Sequence, residues 1–381
     1  MTNFRVKYIF NCTTNNVGGA IQNSVNFIKY TLIGDDKEQW FFLLSEQVYV
    51  EVKDCLPKGK FKVFKSPSKS FTARKKIKEF VSSISPDIVY TSAGPAYVKF
   101  DCTHIMGCSN PYILGAPKVL FKNKFTLISS LLRKIHTFYQ KKHIMLADYW
   151  ILQTDISKSA FTDLGLPSER CFVVHNAVSE KFVDHFKNNS NFNSASITNK
   201  KRINVLFPSA YYNHKNFEIL PALIKKLQSF GVDAHFTITV GCHKSVEHVL
   251  EDAKRLGVQD KLTNIGSFLH EDAIKLYLSH DIIFQPSLLE VFSTSYIEAM
   301  AVKKPLIVCD LPFAKDTCKD YAYYFIADDV SCCAKLFLEV ITSDPKLPSR
   351  HHQAKVLLEH YGDQNFRYNK LQNLINGLVG K

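Results

Sequence analysis

The stretch DIIFQPSLLEVFSTSYIEAMAVKKPLIVCD, Asp281 to Asp310, decides the fold. Its first part, DIIFQPS, is a short apolar run closed by proline and reads as a buried strand ending near Pro286. YIEAMAV has the composition of a helix, and PLIVCD is a second apolar run of strand length. Strand, helix and strand in succession argue for a parallel sheet covered on both faces. Glu290 is expected in the loop at the first strand's C-terminal end, and Glu298 in the first turn of the helix. Ser295-Tyr296-Ile297-Glu298 is a capping-box pattern, so helix capping explains Glu298 as well as ligand binding does.

The same alternation continues outward. FRVKYIF, WFFLLS, FKVFK, DIVYTSA, YWILQT and CFVVHNAV read as strands in the first half, and INVLFPSA, HFTITVG, LTNIGS, DIIFQPS and PLIVCD in the second. Helices of the second half are expected to begin near Asn216, Lys244, Glu271 and Ser295. FKNNSNFNSASITNKK, Phe186 to Lys201, is rich in Asn and Ser and lacks apolar periodicity, as a linker does. A chain of 381 residues suits two domains. The expected division is 1–185 for the first domain, 186–201 for the linker and 202–360 for the second. A C-terminal helix over 361–381 could pack back on the first domain. Such sheets bind ligands beyond the C-terminal ends of their strands.

Composition narrows the function. Hydrophobic content of 46% with 22% charged residues is that of a soluble globular protein. No apolar run approaches the ~18–20 residues that cross a bilayer, and MTNFRVKYIFNCTT lacks the pattern of a signal peptide. The ten cysteines are scattered, without metal-ligand spacing. A cytoplasmic protein with reduced thiols is therefore expected, and no metal site.

The net charge of +13 is uneven, because residues 1–185 hold 25 Lys and Arg against 15 Asp and Glu. Nine basic residues fall between Lys58 and Lys78, and seven more between Lys118 and Lys142, interleaved with Phe, Leu and Ile. These stretches suit a solvated basic face or an anionic membrane surface, where each Lys or Arg adds ~1 kcal/mol. Nucleic acid would suit the charge, but no nucleic-acid-binding motif accompanies it.

Two further loops could hold an anion. The first strand runs into NCTTNNVGGAIQNSVNFIKY, where Gly18 and Gly19 open a helix whose N-terminus favours negative charge. This is not the G-x-G-x-x-G fingerprint of nicotinamide enzymes. In the second half INVLFPSAYYNHKNFEILPALIKKL carries Ser209, then Lys215 where a helix is expected to start. A lysine in a first turn opposes the helix dipole unless an anion sits there, although Pro221 warns that the helix could begin later.

With these residues in view, PSLLEVFSTSYIEAMAVKKPLIVCDLPFAKDTCKDYAYYFIADD resembles the C-terminal block of retaining glycosyltransferases of the Glu-x7-Glu type (glycosyltransferase family 4, or glycosyl transferases group 1). The likeness extends back through GSFLHEDAIKLYLSHDIIFQPS. NHKN is similar to the family's basic motif, and NVGGA to its Gly-Gly loop. The resemblance implies the GT-B fold, α/β with two Rossmann-like domains whose parallel sheets face across a cleft.

It also implies roles. Glu298 would accept hydrogen bonds from ribose hydroxyls and Glu290 would contact the donor sugar. The backbone around Phe292, Ser293 and Thr294 would hold the diphosphate, with Lys215 and Ser209 opposite and the Gly18–Gly19 loop covering it. Glu290 and Lys215 are the catalytic candidates. His104, in DCTHIMGCSNPY, is a candidate for the acceptor or donor-sugar side, against the commoner structural role of a lone histidine. The sequence departs from the family where Val291 and Ser293 stand in place of two glycines, and where an arginine paired with the lysine is replaced at best by His214.

The resulting expectation is transfer of a sugar from a UDP- or GDP-sugar to a glycan or lipid-linked acceptor, most like enzymes of bacterial O-antigen and capsule synthesis, with no cofactor or metal. The protein would be cytoplasmic, with peripheral contact on the inner face of an anionic membrane. A non-catalytic basic module binding nucleic acid or anionic lipid, or a nucleotide-sugar epimerase, are the alternatives.

Overall fold

A computed structural model describes residues 6–115, 126–189, 200–342 and 347–379. Residues 127–176 and 364–379 join the N-terminal segment in one compact unit (unit 1), and Ala177–Asp363 builds a second (unit 2).

In unit 1, β1 (Tyr8–Cys12), α1 (Gly19–Ile33), β2 (Trp40–Leu44), α2 (Glu46–Val52), β3 (Phe61–Val63), α3 (Phe71–Ile84), β4 (Ile88–Thr91) and β5 (Thr103–Cys108) are followed by α4 (Leu127–Ile144), β6 (Tyr149–Leu152), α5 (Asp155–Asp163) and β7 (Cys171–Val173). Unit 2 runs α6 (Glu180–Asn188), β8 (Ile203–Phe207), α7 (Leu220–Ser229), β9 (Ala234–Ile238), α8 (Glu247–Arg255), β10 (Leu262–Asn264), α9 (Ala273–Leu278) and β11 (Ile282–Gln285). It continues through α10 (Thr294–Ala301), β12 (Leu306–Cys309), α11 (Pro312–Cys318), β13 (Tyr323–Phe325), α12 (Val330–Thr342) and α13 (Leu347–Tyr361). The chain then returns to unit 1 with α14 (Gln364–Asn376).

Both sheets are parallel, in the orders β3-β2-β1-β4-β5-β6-β7 and β10-β9-β8-β11-β12-β13. Parallel strands buried on both faces read as continuous apolar runs, and β1, β4, β11 and β12 are buried at every position. In each sheet the order reverses beside the first strand, between β1 and β4 and between β8 and β11, with Tyr8 opposite Ile88 and Ile283 opposite Leu206. These are topological switch points, where the two connecting loops part and leave a crevice.

The two faces of the first sheet carry separate cores, one around Phe10, Phe27 and Trp40, the other around Phe64, Trp150 and Phe161. Helix α14 closes the first of these: the Tyr368 ring lies 5.5 Å from both Phe27 and Tyr30. Unit 2 packs Tyr277, Tyr296 and Met300 against α6 and α13.

Several expectations are adjusted. β5 lies in THIMGC, which no strand expectation covered, because its Gly and Thr dilute the apolar signal. The division falls at Ala177 rather than after 185, since Val178, Phe182 and Val183 belong to the core of unit 2, where Phe182 meets the Tyr277 ring edge-on. The expected linker begins inside α6, and its central part lies outside the described residues. Three second-half helices begin a few residues later than expected, after short 3-10 turns at Asn213–Lys215, Phe217–Ile219, His243–Val246 and His270–Asp272. Among the described residues no helix is long and apolar enough to cross a membrane.

Candidate functional site

The loops that leave the switch-point strands of unit 2 carry Ser209, Lys215 and Glu290, and of these the structure brings Lys215 and Glu290 into contact. β8 ends at Phe207, and the chain then passes Ser209, whose N–H donates to Thr239 Oγ1 at 3.0 Å. It enters the 3-10 turn Asn213–Lys215, closed by Asn216 in the left-handed conformation at φ 63°. The helix expected to start at Lys215 starts instead at Leu220, with Pro221 in its first turn, where a missing N–H costs nothing. Lys215 therefore stands outside the helix dipole it was expected to oppose, and projects toward the adjacent strand end.

There Lys215 Nζ donates to Glu290 Oε1, the two side chains being 14% and 12% exposed. The loop after β11 is held to the same turn by its backbone, Leu288 N–H donating to the His214 carbonyl at 2.7 Å. Asn216 Nδ2 donates to Asp328 Oδ1 at 3.0 Å, fixing the turn from the other side. Beneath the loop, Gln285 Nε2 donates to the Pro208 carbonyl at 3.1 Å. The Lys215 ammonium is thus positioned by neighbours on both sides rather than waving in solvent.

Helix α10 follows. The capping-box pattern places the cap at Ser295; the structure starts the helix at Thr294 with Ser293 as N-cap. Glu298 is consequently in the second turn, too far along to complete a capping box, so that explanation of its presence fails. Ser293 makes no side-chain cap bond and instead shares a hydrogen bond with Ser295, Oγ to Oγ 2.9 Å. A first turn without a side-chain cap leaves backbone N–H groups for another acceptor. Phe292 anchors the loop, its ring buried edge-on to Tyr361 with centroids 5.1 Å apart.

Glu298 is held by Tyr277, which the sequence reading did not single out: Tyr277 Oη donates to Glu298 Oε2 at 2.5 Å. Burial raises the Glu298 carboxyl above its ordinary value of 4.5, and the Tyr277 bond partly offsets the rise. The Tyr277 hydroxyl is pushed up by burial and then by the Glu298 charge. A carboxylate raised by desolvation and held by one donor has remaining acceptor capacity, which hydroxyl groups of a ligand would satisfy. Tyr296 is buried with its hydroxyl unpartnered, and burial and the nearby Glu290 charge raise its pKa.

The two departures from the family's glycines cause no backbone strain. Ser293 has φ −103°, and Val291 also lies outside the left-handed region. Neither position needs glycine's conformational freedom here.

In unit 1 the Gly18–Gly19 loop lies at the end of β1. Gly18 is the N-cap of α1 with φ 61° and ψ −148°, a conformation that L side chains rarely adopt, and a Cβ on Gly19 would meet open space. The loop is fixed from behind by Asn15, whose Nδ2 donates to Ser24 Oγ at 2.6 Å and Ser92 Oγ at 2.7 Å, while Ser45 Oγ donates to the Asn15 carbonyl at 2.6 Å. The polar run NCTTNN carried this signal, but only as composition.

His104 has a different setting. It sits within β5, 1% exposed, with Nε2 2.9 Å from Thr91 Oγ1, and burial drives its pKa down to about 3. Asn11 Nδ2 donates to the same Thr91 oxygen at 3.1 Å, so the neutral ring completes a polar chain inside the sheet. The structural role expected of a lone histidine accounts for it.

Two parallel-sheet α/β units, the second with an ion pair between the loops that leave its switch-point strands, define a class: Rossmann-like proteins of the GT-B fold. A family model described as glycosyl transferases group 1 matches residues 189–355, which include Lys215, Glu290 and Glu298.

Among solved structures, a glycosyltransferase from Rickettsia africae is similar at TM-score 0.72 and 16% identity, over 99% of this chain and 100% of that one. HepE of Anabaena, solved in complex with UDP and glucose, is similar at TM-score 0.69 and 15% identity, over 98% and 100%. WaaG, a glycosyltransferase involved in lipopolysaccharide biosynthesis, is similar at TM-score 0.64 and 12% identity, over 98% and 100%. No curated protein sequence matches the chain significantly.

Proposed function

We propose that the protein is a retaining glycosyltransferase that moves a sugar from a nucleotide-diphosphate donor, a UDP- or GDP-sugar, to a glycan or lipid-linked acceptor in surface-polysaccharide synthesis. The observation that carries the reading is the Lys215–Glu290 ion pair at the switch point of β8 and β11, with Glu298 on the helix that follows β11. Glu298 accepts from ribose hydroxyls, in keeping with a raised carboxyl that gains hydrogen bonds when a diol arrives. Glu290 contacts the donor sugar while keeping the Lys215 ammonium in place. Lys215, Ser209 and the backbone from Phe292 to Thr294 hold the diphosphate.

In the reaction the bond from the anomeric carbon to the diphosphate oxygen breaks and a bond to the acceptor oxygen forms on the same face. The acceptor's proton passes to the departing diphosphate. The Lys215 charge and the α10 N–H groups are already in place when negative charge develops on that leaving group, so little reorganisation is needed in the transition state. The chemistry asks for no cofactor and no protein-held metal ion. We place it on the cytoplasmic face of an anionic membrane.

A thermal-shift screen of UDP- and GDP-sugars tests the reading, since a ligand at 100 times its dissociation constant stabilises by about 2.7 kcal/mol. One of these donors is expected to raise the melting temperature, and transfer or hydrolysis of that donor to continue in the presence of a metal chelator. Binding of RNA or DNA with no response to any nucleotide diphosphate would replace this reading with that of a basic binding module.

A further inference from the structure

Helix α4 is amphipathic in the wrong direction for a helix packed on a protein. Its buried residues are Gln140 and Ile144, whereas Leu127, Ile128, Leu131, Leu132, Ile135 and Phe138 are 57–92% exposed. At ~100° per residue these six side chains fall within about 140° of the helix circumference, forming one continuous apolar face. Met145, just past the helix, extends it at 48% exposure. Patches of this kind mark a binding surface rather than ordinary surface scatter.

The charges around the face are of one sign. Lys134 and Lys141 line one edge, and Lys142 lies across the face with Nζ 4.8 Å from the centre of the Phe138 ring. The first turn of α3 joins the patch. Arg74 Nη2 donates to Tyr139 Oη at 2.7 Å, and its guanidinium lies 4.8 Å from the centre of the Phe71 ring, which is itself 80% exposed. Around that turn stand Lys69, Lys75 and Lys76. Between β3 and α3 a cleft of about 820 Å³ is lined by Lys62, Lys65, Lys76, Ser70 and Thr72, with one acid, Glu79. The basic stretch 58–78 and the part of the second stretch that is described, 133–142, thus converge in unit 1 with apolar side chains between them, whereas Lys118, Lys122 and Lys124 lie outside the described residues.

We propose that α4 and the adjoining first turn of α3 insert their apolar side chains into the surface of an anionic bilayer, with the flanking lysines on its headgroups. A second copy of the chain would have to bring like charges together around the same face, and nucleic acid would give the apolar face nothing to bury against. The bilayer interface accepts both parts, an apolar face sunk to the headgroup boundary and long cationic side chains reaching back to phosphates. This deepens the membrane-surface part of the function proposed above and rests on it for its purpose, although lipid binding is measured without any donor.

The test is flotation of the full chain with phosphatidylglycerol-containing vesicles and with phosphatidylcholine vesicles, at low and high salt. The parent is expected to float with the anionic vesicles, with binding reduced but not abolished by salt. A Leu131→Ser/Ile135→Ser/Phe138→Ser triple variant is expected to lose at least about tenfold in binding at both salt levels. A Lys134→Glu/Lys141→Glu double variant is expected to lose binding chiefly at low salt. The altered side chains face solvent, so an unchanged melting temperature confirms that each variant is folded.

The inference is overturned if the parent fails to float, if the triple variant floats as well as the parent, or if the triple variant only converts a dimer to a monomer. Donor turnover measured without lipid separates the two readings. Vesicle binding without turnover would count against the transferase alone, and turnover without vesicle binding against this inference alone.

Discussion

Lys215 and Glu290, 75 positions apart, form an ion pair that joins the loop after β8 to the loop after β11. The pair spans the point where the strand order reverses, and it fixes a positive charge at the mouth of the crevice. Replacing Lys215 by Ala leaves Glu290 with little solvent and no cation. The expected cost is about 1–3 kcal/mol of stability, read by denaturant unfolding. Donor binding is expected to weaken about 10–100-fold, read by calorimetry, because a charge-assisted contact to phosphate is lost. Glu290→Gln keeps an acceptor for Lys215, so it should cost less stability while still lowering kcat.

Glu298 carries a pH signature. Its folded-state pKa lies above the ordinary 4.5, so ionising it in the fold is unfavourable. The stability associated with its protonated form is present below the unfolded pKa and is lost as pH rises through the folded one. Glu298→Gln keeps an acceptor for Tyr277 and removes that loss. The variant is expected to be at least as stable as the parent at neutral pH, with the advantage vanishing in acid, while donor affinity falls about tenfold. Unfolding curves at acid and neutral pH check the first part and calorimetry the second.

His104 predicts the opposite slope. Its pKa is pushed from 6.5 down to about 3, so the neutral ring contributes stability above 6.5 that is lost as pH falls toward 3. His104→Gln removes this titration and should flatten the acid limb of the stability profile. Its kcat at neutral pH should stay close to the parent's; a large loss of kcat in a folded variant would make the ring part of the site.

Ser293→Gly restores a glycine that the resembled family commonly has. Since Ser293 already has an ordinary φ, no strain is relieved. The bond to Ser295 is removed and the unfolded chain gains freedom, so stability should fall by about 0.5–1 kcal/mol, read by thermal unfolding. Donor affinity should not improve.

The strands of both sheets were legible because parallel strands buried on two faces are nearly uniform apolar runs, as IIFQ and LIVC show. THIMGC was not, since polar and small residues interrupt it. Lys215 stands out in the sequence by its expected place at a helix start, and Glu290 and Glu298 by the resemblance to the Glu-x7-Glu block, but nothing in the sequence marks their hydrogen-bond partners. Tyr277 looks in sequence like any core aromatic of a helix, and its role depends on which way its hydroxyl points. Asn216 and Asp328 lie 112 positions apart, and only the fold pairs them. The start of α7 was misplaced because the 3-10 turns preceding it share the helix's composition, and Pro221 alone marked the true first turn. The exposed face of α4 was visible only as basic and apolar residues interleaved, because periodicity gives a face but not what lies against it.

Calorimetric titration with UDP- and GDP-sugars, on the parent and on Glu298→Ala, tests most directly whether unit 2 holds a nucleotide-sugar through Lys215, Glu290 and Glu298. One donor is expected to bind the parent with a Kd of roughly micromolar order, near −8 kcal/mol, and Glu298→Ala to bind it at least about tenfold more weakly. A parent that binds neither class of donor, or a Glu298→Ala variant that binds and turns over the donor as the parent does, would contradict it.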